Sequence, residues 1–176
     1  MSDSATMADT IFPPNRHKKS AGFQIAYSRE ALRKSLTRVQ IAWDECQSSR
    51  ARSAIYGYLT AVFDLVMWWA AEGRAINRAR SALQLQHVTL PANDEPFAAI
   101  IFCTSDPEKV DRRTRSKWSR VLRYAAEYKT NAEPLATFVL RKGGINKCAE
   151  RFTRCRASSV AADRRKLPSK NVAERG

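Results

Sequence analysis

Between Ala54 and Ala71 the chain reads AIYGYLTAVFDLVMWWAA, eighteen residues that are apolar on nearly every side of a helix. Such a helix has to be covered all round, as a central core helix, an oligomer interface or a membrane span. Asp64 falls mid-segment, where a charged side chain costs about 2.5 to 3.5 kcal/mol in a bilayer. The residues that follow, EGRAINRARSALQL, continue as an amphipathic helix, so no span is expected and one helix is predicted from near Ser53 past Gly73 toward Leu85. Tyr56, Tyr58, Phe63, Trp68 and Trp69 exceed what a single neighbouring helix can bury. Either the C-terminal half packs on them, or residues 53–71 form a homodimer interface.

A partner helix precedes this segment. From Ser28, which suits an N-cap, Leu32, Leu36, Val39, Trp43 and Cys46 step by 4, 3, 4 and 3 along one face, to about Gln47. With the short polar link SSRARS, the two helices are expected to form an antiparallel hairpin over residues 23–90. TLPANDEP then breaks the pattern and marks a boundary before a second, basic helical unit over residues 93–156. Within that unit NDEPFAAIIF and NAEPLATFVL align without gaps at a spacing of 38. Each reads as a helix start with Pro in the first turn and about nine apolar residues behind it, although the β-formers Ile100, Ile101 and Phe102 leave 97–104 open between helix and strand. A break and a basic helix follow each copy, and the register matches Lys109 to Lys147 and Arg113 to Arg151. Residues 1–22 and 157–176 lack apolar periodicity and are expected to be disordered tails. The predicted fold is all-α: an N-terminal antiparallel helical hairpin, then a basic bundle of short helices, with disordered tails.

The formal charge is +14, and its placement matters more than its size. Residues 1–110 carry 13 Lys and Arg against 11 Asp and Glu, whereas 111–129 carry 7 against 2 and 141–176 carry 11 against 3. A positive field confined to the C-terminal third attracts polyanions: nucleic acid first, acidic protein surfaces second, anionic lipid third.

Two basic helices carry that charge. The first is predicted from an Asp106 cap and Pro107 to about Lys129. At 100° per residue, Val110, Thr114, Trp118, Val121, Leu122 and Ala125 share one side, while Arg112, Arg113, Lys117, Arg120 and Arg123 form the opposite arc, with Tyr124 inside it and Arg115 outside. A merely solvated face interleaves acids with its bases; this arc reads as free of acid, which suits phosphate contacts, with Tyr124 able to stack on a base or sugar. The second basic helix lies in VLRKGGINKCAERFTR, where Ile145, Cys148, Phe152 and Cys155 make an apolar seam and Lys147, Arg151 and Arg154 line the other side.

Over eight residues, INKCAERF resembles the first helix of phage-repressor-type helix-turn-helix proteins, with Cys148, small Ala149 and Phe152 at the positions that let a second helix cross closely. The likeness ends there, since Thr153 stands at the usual turn Gly and Arg154 at the apolar position beyond it. The resemblance implies DNA binding and assigns no base-reading residue.

No Gly-rich phosphate loop, H-E-x-x-H, G-x-S-x-G or C-x-x-C occurs, and His17 and His87 are the only histidines. No enzyme activity, cofactor or metal site is expected. MSDSATMADTIFPPNRHKKS has no apolar stretch behind its basic residues, so a cytoplasmic location is expected, at the nucleoid for a DNA-binding protein. The expected function is a regulatory factor in transcription, or an accessory one, that binds nucleic acid, double-stranded DNA above RNA, through Arg112, Arg113, Lys117, Arg120, Arg123, Tyr124, Lys147, Arg151 and Arg154. The alternative is a non-enzymatic adaptor that binds an acidic protein partner.

Overall fold

The computed structural model describes residues 20–90 and 95–166, which hold seven helices and no strand. In chain order these are α1 (Ser20–Ser48), α2 (Ala54–Ala71), α3 (Ala75–Leu85), α4 (Pro96–Thr104), α5 (Arg112–Tyr128), α6 (Leu135–Arg141) and α7 (Gly144–Lys166). The apolar segment is α2, and it is the hub: α1, α3, α4, α5 and α6 all pack on it. Its length and composition would also allow it to cross a membrane, the only described helix of which this is true. α1 and the helices of the C-terminal half cover α2 together, with Tyr58, Phe63 and Trp69 buried and Trp68 53% exposed.

The hairpin of α1 and α2 forms as its spacing predicts, with Leu32, Leu36, Val39 and Trp43 buried and Cys46 packed at the edge. Its start differs, because α1 begins at Ser20 and runs straight through Ser28. Nothing between Phe23 and Ser28 breaks a helix, so propagation upstream outweighs the local cap. The single helix expected from Ser53 to Leu85 is in fact two. Gly73 takes φ +67°, and its N–H bonds to Ala70 O (2.9 Å) while that of Arg74 bonds to Trp69 O (2.8 Å). This paired closure ends α2 and needs the left-handed backbone that glycine adopts without strain. α3 ends by the same device on a costlier residue: His87 sits at φ +52°, and the Val88 N–H reaches Leu83 O (3.0 Å).

One core runs through both sequence units, from Leu32 in α1 to Phe152 in α7. The proposed boundary at TLPANDEP therefore does not separate two bodies. Trp43, Tyr58 and Trp118 tie α1, α2 and α5 together with ring centroids 5.1, 6.0 and 6.2 Å apart. The buried Tyr58 hydroxyl lies 2.9 Å from Thr104 Oγ1, which itself donates to Ile100 O (2.7 Å), so the polar end of the ring is satisfied where α4 ends.

Residues 97–104 are helical, and the 38-residue echo holds in packing: Phe97, Ile100 and Ile101 of α4 and their counterparts Leu135, Phe138 and Val139 of α6 are all buried. The registers part at the breaks. Only Lys142 and Gly143 separate α6 from α7, whereas Ser105 to Asp111 separate α4 from α5. Thus α5 starts at Arg112 rather than Pro107. Asp106 organises a turn by accepting from the Glu108 N–H (2.9 Å), and Asp111 is the true cap, accepting from Thr114 N (2.7 Å). At the other end α7 continues through 157–166, part of the expected C-terminal tail, and α1 takes in residues 20–22 of the N-terminal one; residues 1–19 and 167–176 of those tails lie outside the described residues.

Candidate nucleic-acid interface

α5 and α7 pack on each other more extensively than any other pair of helices, so the two basic segments are neighbours. The apolar sides of both turn inward: Trp118, Val121, Leu122 and Ala125 from α5, and Cys148, Ala149 and Phe152 from α7. Most of their cations reach solvent, yet the nine predicted contact residues end up in three different situations.

Arg112 and Arg113 are exposed and Lys117 is half-buried, none with an ion pair among the described residues. Arg120 is held at both ends without meeting an acid, its Nε donating to Ser116 O and its Nη1 to Thr153 Oγ1 across to α7, each at 3.3 Å. Arg151 is exposed and likewise has no acidic partner.

Three others are engaged. The Arg123 guanidinium lies 2.8 Å from Glu95 Oε2, which also accepts from Ser119 Oγ (3.2 Å), and 4.6 Å over the Phe152 ring. Burial pushes the Glu95 carboxyl above the ordinary carboxylate value, against the opposing pull of Arg123 and Ser119. On α7, Glu150 sits between Lys147 (3.5 Å) and Arg154 and pairs with both, and these two cations hold its carboxyl below the usual range. Like-sign purity is thus a property of the predicted arc alone: Glu95 enters from α4, Glu150 stands between the α7 cations, and Glu127, seven residues beyond Arg120, shares the exposed strip of α5.

Tyr124 leaves the arc altogether. α6 brings Phe138 to that side of α5, and Tyr124 is buried with its ring centroid 5.8 Å from Phe138 and 4.7 Å from Tyr128. Its ring is therefore core, not a platform for a base. Arg115, placed outside the arc by its spacing, is buried; its Nε donates to Val110 O (3.0 Å) and its guanidinium covers the Phe102 ring at 4.7 Å. Further along, Arg141 makes a two-pronged pair with Glu133, at 2.8 and 2.7 Å, and Lys129 is bonded to the carbonyls of Thr130 and Glu133, each at 2.9 Å. Both are thereby withdrawn from the basic surface.

The helix-turn-helix likeness meets an unbroken helix. Thr153, at the position of the turn, lies within α7 with its hydroxyl donating to Ala149 O (3.0 Å), and the residues that would form the second helix continue α7 to Lys166.

Between α4, α5 and α7 lies a cleft of about 610 Å³, with Arg112, Arg120 and Arg123 on one side and Arg156 on the other. Ala98, Phe102 and Phe152 give it an apolar floor, and Glu95, Ser119 and Thr153 add polar groups. Arg156, Glu95 and Phe102 were absent from the sequence reading of the site. Arg156 stands four residues beyond Phe152, at the last position of the expected unit 93–156, where the spacing could have found it; Glu95 caps α4 and Phe102 lies within it, and they carry no such signal. No group of three or more His, Cys, Asp or Glu converges among the described residues, and Cys46, Cys103, Cys148 and Cys155 form no disulfide.

Comparison of the chain with known protein families, curated proteins and solved structures found no match. The fold and this surface define the class only as an all-helical, basic bundle with an arginine-lined cleft.

Proposed function

We propose that the protein binds nucleic acid, duplex DNA foremost, as a non-enzymatic regulatory or accessory factor, through the cations of α5 and α7. One observation carries this reading. Arg112, Arg113, Lys117, Arg120, Arg151 and Arg156 stand on two helices packed against each other, and none makes an ion pair among the described residues. Lys147 and Arg154 add to the field but are partly spent on Glu150, and Arg123 is spent on Glu95.

Each phosphate neutralised releases condensed counterions, at about 0.9 in log K per unit of log salt, so six contacts give a slope of about −5. Anisotropy titration of the full chain with a fluorescent duplex between about 50 and 300 mM salt reads that slope. Absence of binding at the lowest salt, with tight binding to an acidic polypeptide such as polyglutamate instead, would replace this reading by the adaptor.

On this reading the protein works in the cytoplasm, at the nucleoid. A homodimer through residues 53–71 has only the outward strip of α2 to use, where Gly57, Asp64 and Trp68 are exposed, because the opposite side of the helix is core. Two-fold pairing there would present two basic surfaces to one duplex.

A further inference from the structure

We propose that the cleft between α4, α5 and α7 is a nucleotide site: a planar base rests on the Arg123–Phe152 stack and beside Phe102, while its phosphates meet Arg112, Arg120 and Arg156. The volume of about 610 Å³ falls within the range of small-molecule sites. Its charge selects the ligand. Glu95 is committed to Arg123 at 2.8 Å, which leaves three guanidinium groups around one concavity with no ion pair among the described residues. Like charges lining a concave, low-dielectric wall repel one another and focus a positive field, and a multiply charged anion relieves both effects. Guanidinium groups suit phosphate oxygens in particular, since they bind two at a time.

A phosphate alone does not account for the floor. The Arg123 guanidinium carbon lies 4.6 Å from the centroid of the Phe152 ring and its head is paired with Glu95 at 2.8 Å, so the cleft wall holds a tethered guanidinium rather than a free cation. Arg115 covers one side of the half-buried Phe102 ring at 4.7 Å, and the rest of that ring lines the cleft. Guanidinium planes and aromatic rings are the surfaces on which nucleobases stack. Arg123 is thereby reassigned from a phosphate contact to a platform.

The same chemistry arises from two sources, a free nucleotide or an unpaired nucleotide within a strand. The inference shares with the preceding section a phosphate-bearing partner and the residues Arg112, Arg120 and Arg156, and its test separates the two. Calorimetric titration of the full chain uses ADP, pyrophosphate, a 15-residue oligothymidylate and a 15-base-pair duplex as probes. Stacking by one base is worth about 5- to 150-fold, so ADP is expected to bind at least fivefold more tightly than pyrophosphate. Arg156→Gln, a change at an exposed position, weakens ADP about tenfold. Phe102→Leu weakens ADP several-fold and leaves pyrophosphate unchanged, with its helical content checked by circular dichroism.

Tight ADP binding unaffected by the oligothymidylate assigns the site to free nucleotides; competition by the oligothymidylate but not the duplex assigns it to unpaired bases. Equal affinity for ADP and pyrophosphate, or ADP affinity untouched by Arg156→Gln together with Arg120→Gln, overturns the proposal. Loss of ADP affinity in Phe102→Leu, at a cleft residue outside the duplex surface, with duplex affinity retained keeps the cleft and the duplex surface distinct. Duplex binding absent from the wild type, with ADP binding intact, removes the duplex reading and leaves the cleft standing.

Discussion

Replacing Trp118 by Ala tests whether the hairpin and the basic helices are one cooperative body. Trp118 is 93% buried on α5, and its ring touches Trp43 of α1 and Tyr58 of α2 at 6.2 and 6.0 Å between centroids. Truncating a buried Trp costs about 3 to 5 kcal/mol. Two aromatic contacts, each worth about 0.5 to 1.5 kcal/mol beyond area, place this site toward the upper end. Against a total stability of about 5 to 15 kcal/mol the loss is large, yet it leaves most such chains folded. Hydrogen exchange under native conditions reads where the loss is felt. If the core is shared, the amides of Leu59 and Val62, both fully buried in α2, exchange faster by the same free energy, about two to nearly four powers of ten. If α5 amides accelerate while those of Leu59 and Val62 keep their wild-type rates, the two halves open independently and the argument for a single core is wrong.

The helix ends offer a pair of opposite outcomes. Gly73→Ala forces a side chain into φ +67° and should destabilise by about 1 to 2 kcal/mol, whereas His87→Gly relieves φ +52° and should stabilise by roughly 0.5 to 1 kcal/mol; a melting temperature that moves the same way in both variants would contradict the backbone account. Glu95 predicts a pH effect. Its carboxyl ionises at higher pH in the fold than in the unfolded chain, so the native state holds the extra proton and stability falls as pH rises through the window between the two values. Glu95→Gln does not titrate and should flatten that part of the profile, and parallel wild-type and variant melting curves from about pH 4 upward would exclude it. Arg151→Gln removes one unpaired cation and should reduce the salt slope for duplex binding by about 1, whereas Arg141→Gln, whose cation is held by Glu133, should leave the slope unchanged.

Much of the fold was legible because α1 and α2 are long and strongly patterned, and each position of the seam from Leu32 to Trp43 is where its period puts it. What escaped depended on backbone conformation or on partners distant in sequence. Gly73 in an amphipathic run looks like a tolerated glycine until its φ shows a helix end, and Asp106 and Asp111 are equally good caps five residues apart. The outward placing of most cations of α5 and α7 was legible from their spacing, but their balance of charge was not. Angular position alone cannot show that α4 delivers Glu95 to Arg123, or that α6 delivers Phe138 to Tyr124. Arg156 escaped although it closes the expected unit 93–156, because only Lys147, Arg151 and Arg154 were placed on the basic side of that helix.

The uneven cover over α2 makes the protein its own reporter. Trp43, Trp69 and Trp118 are buried while Trp68 is half in water, so intrinsic emission contains a shielded population and a single accessible fluorophore. A neutral quencher acts on Trp68 selectively, and an occupant settling on the outward strip of α2, a second copy of the chain included, shields it and shifts its emission to the blue. Occupation of the cleft between α4, α5 and α7 leaves that signal unmoved, since no tryptophan lines it. Association through the central helix and ligand binding through the arginines can thus be followed separately in the unlabelled protein.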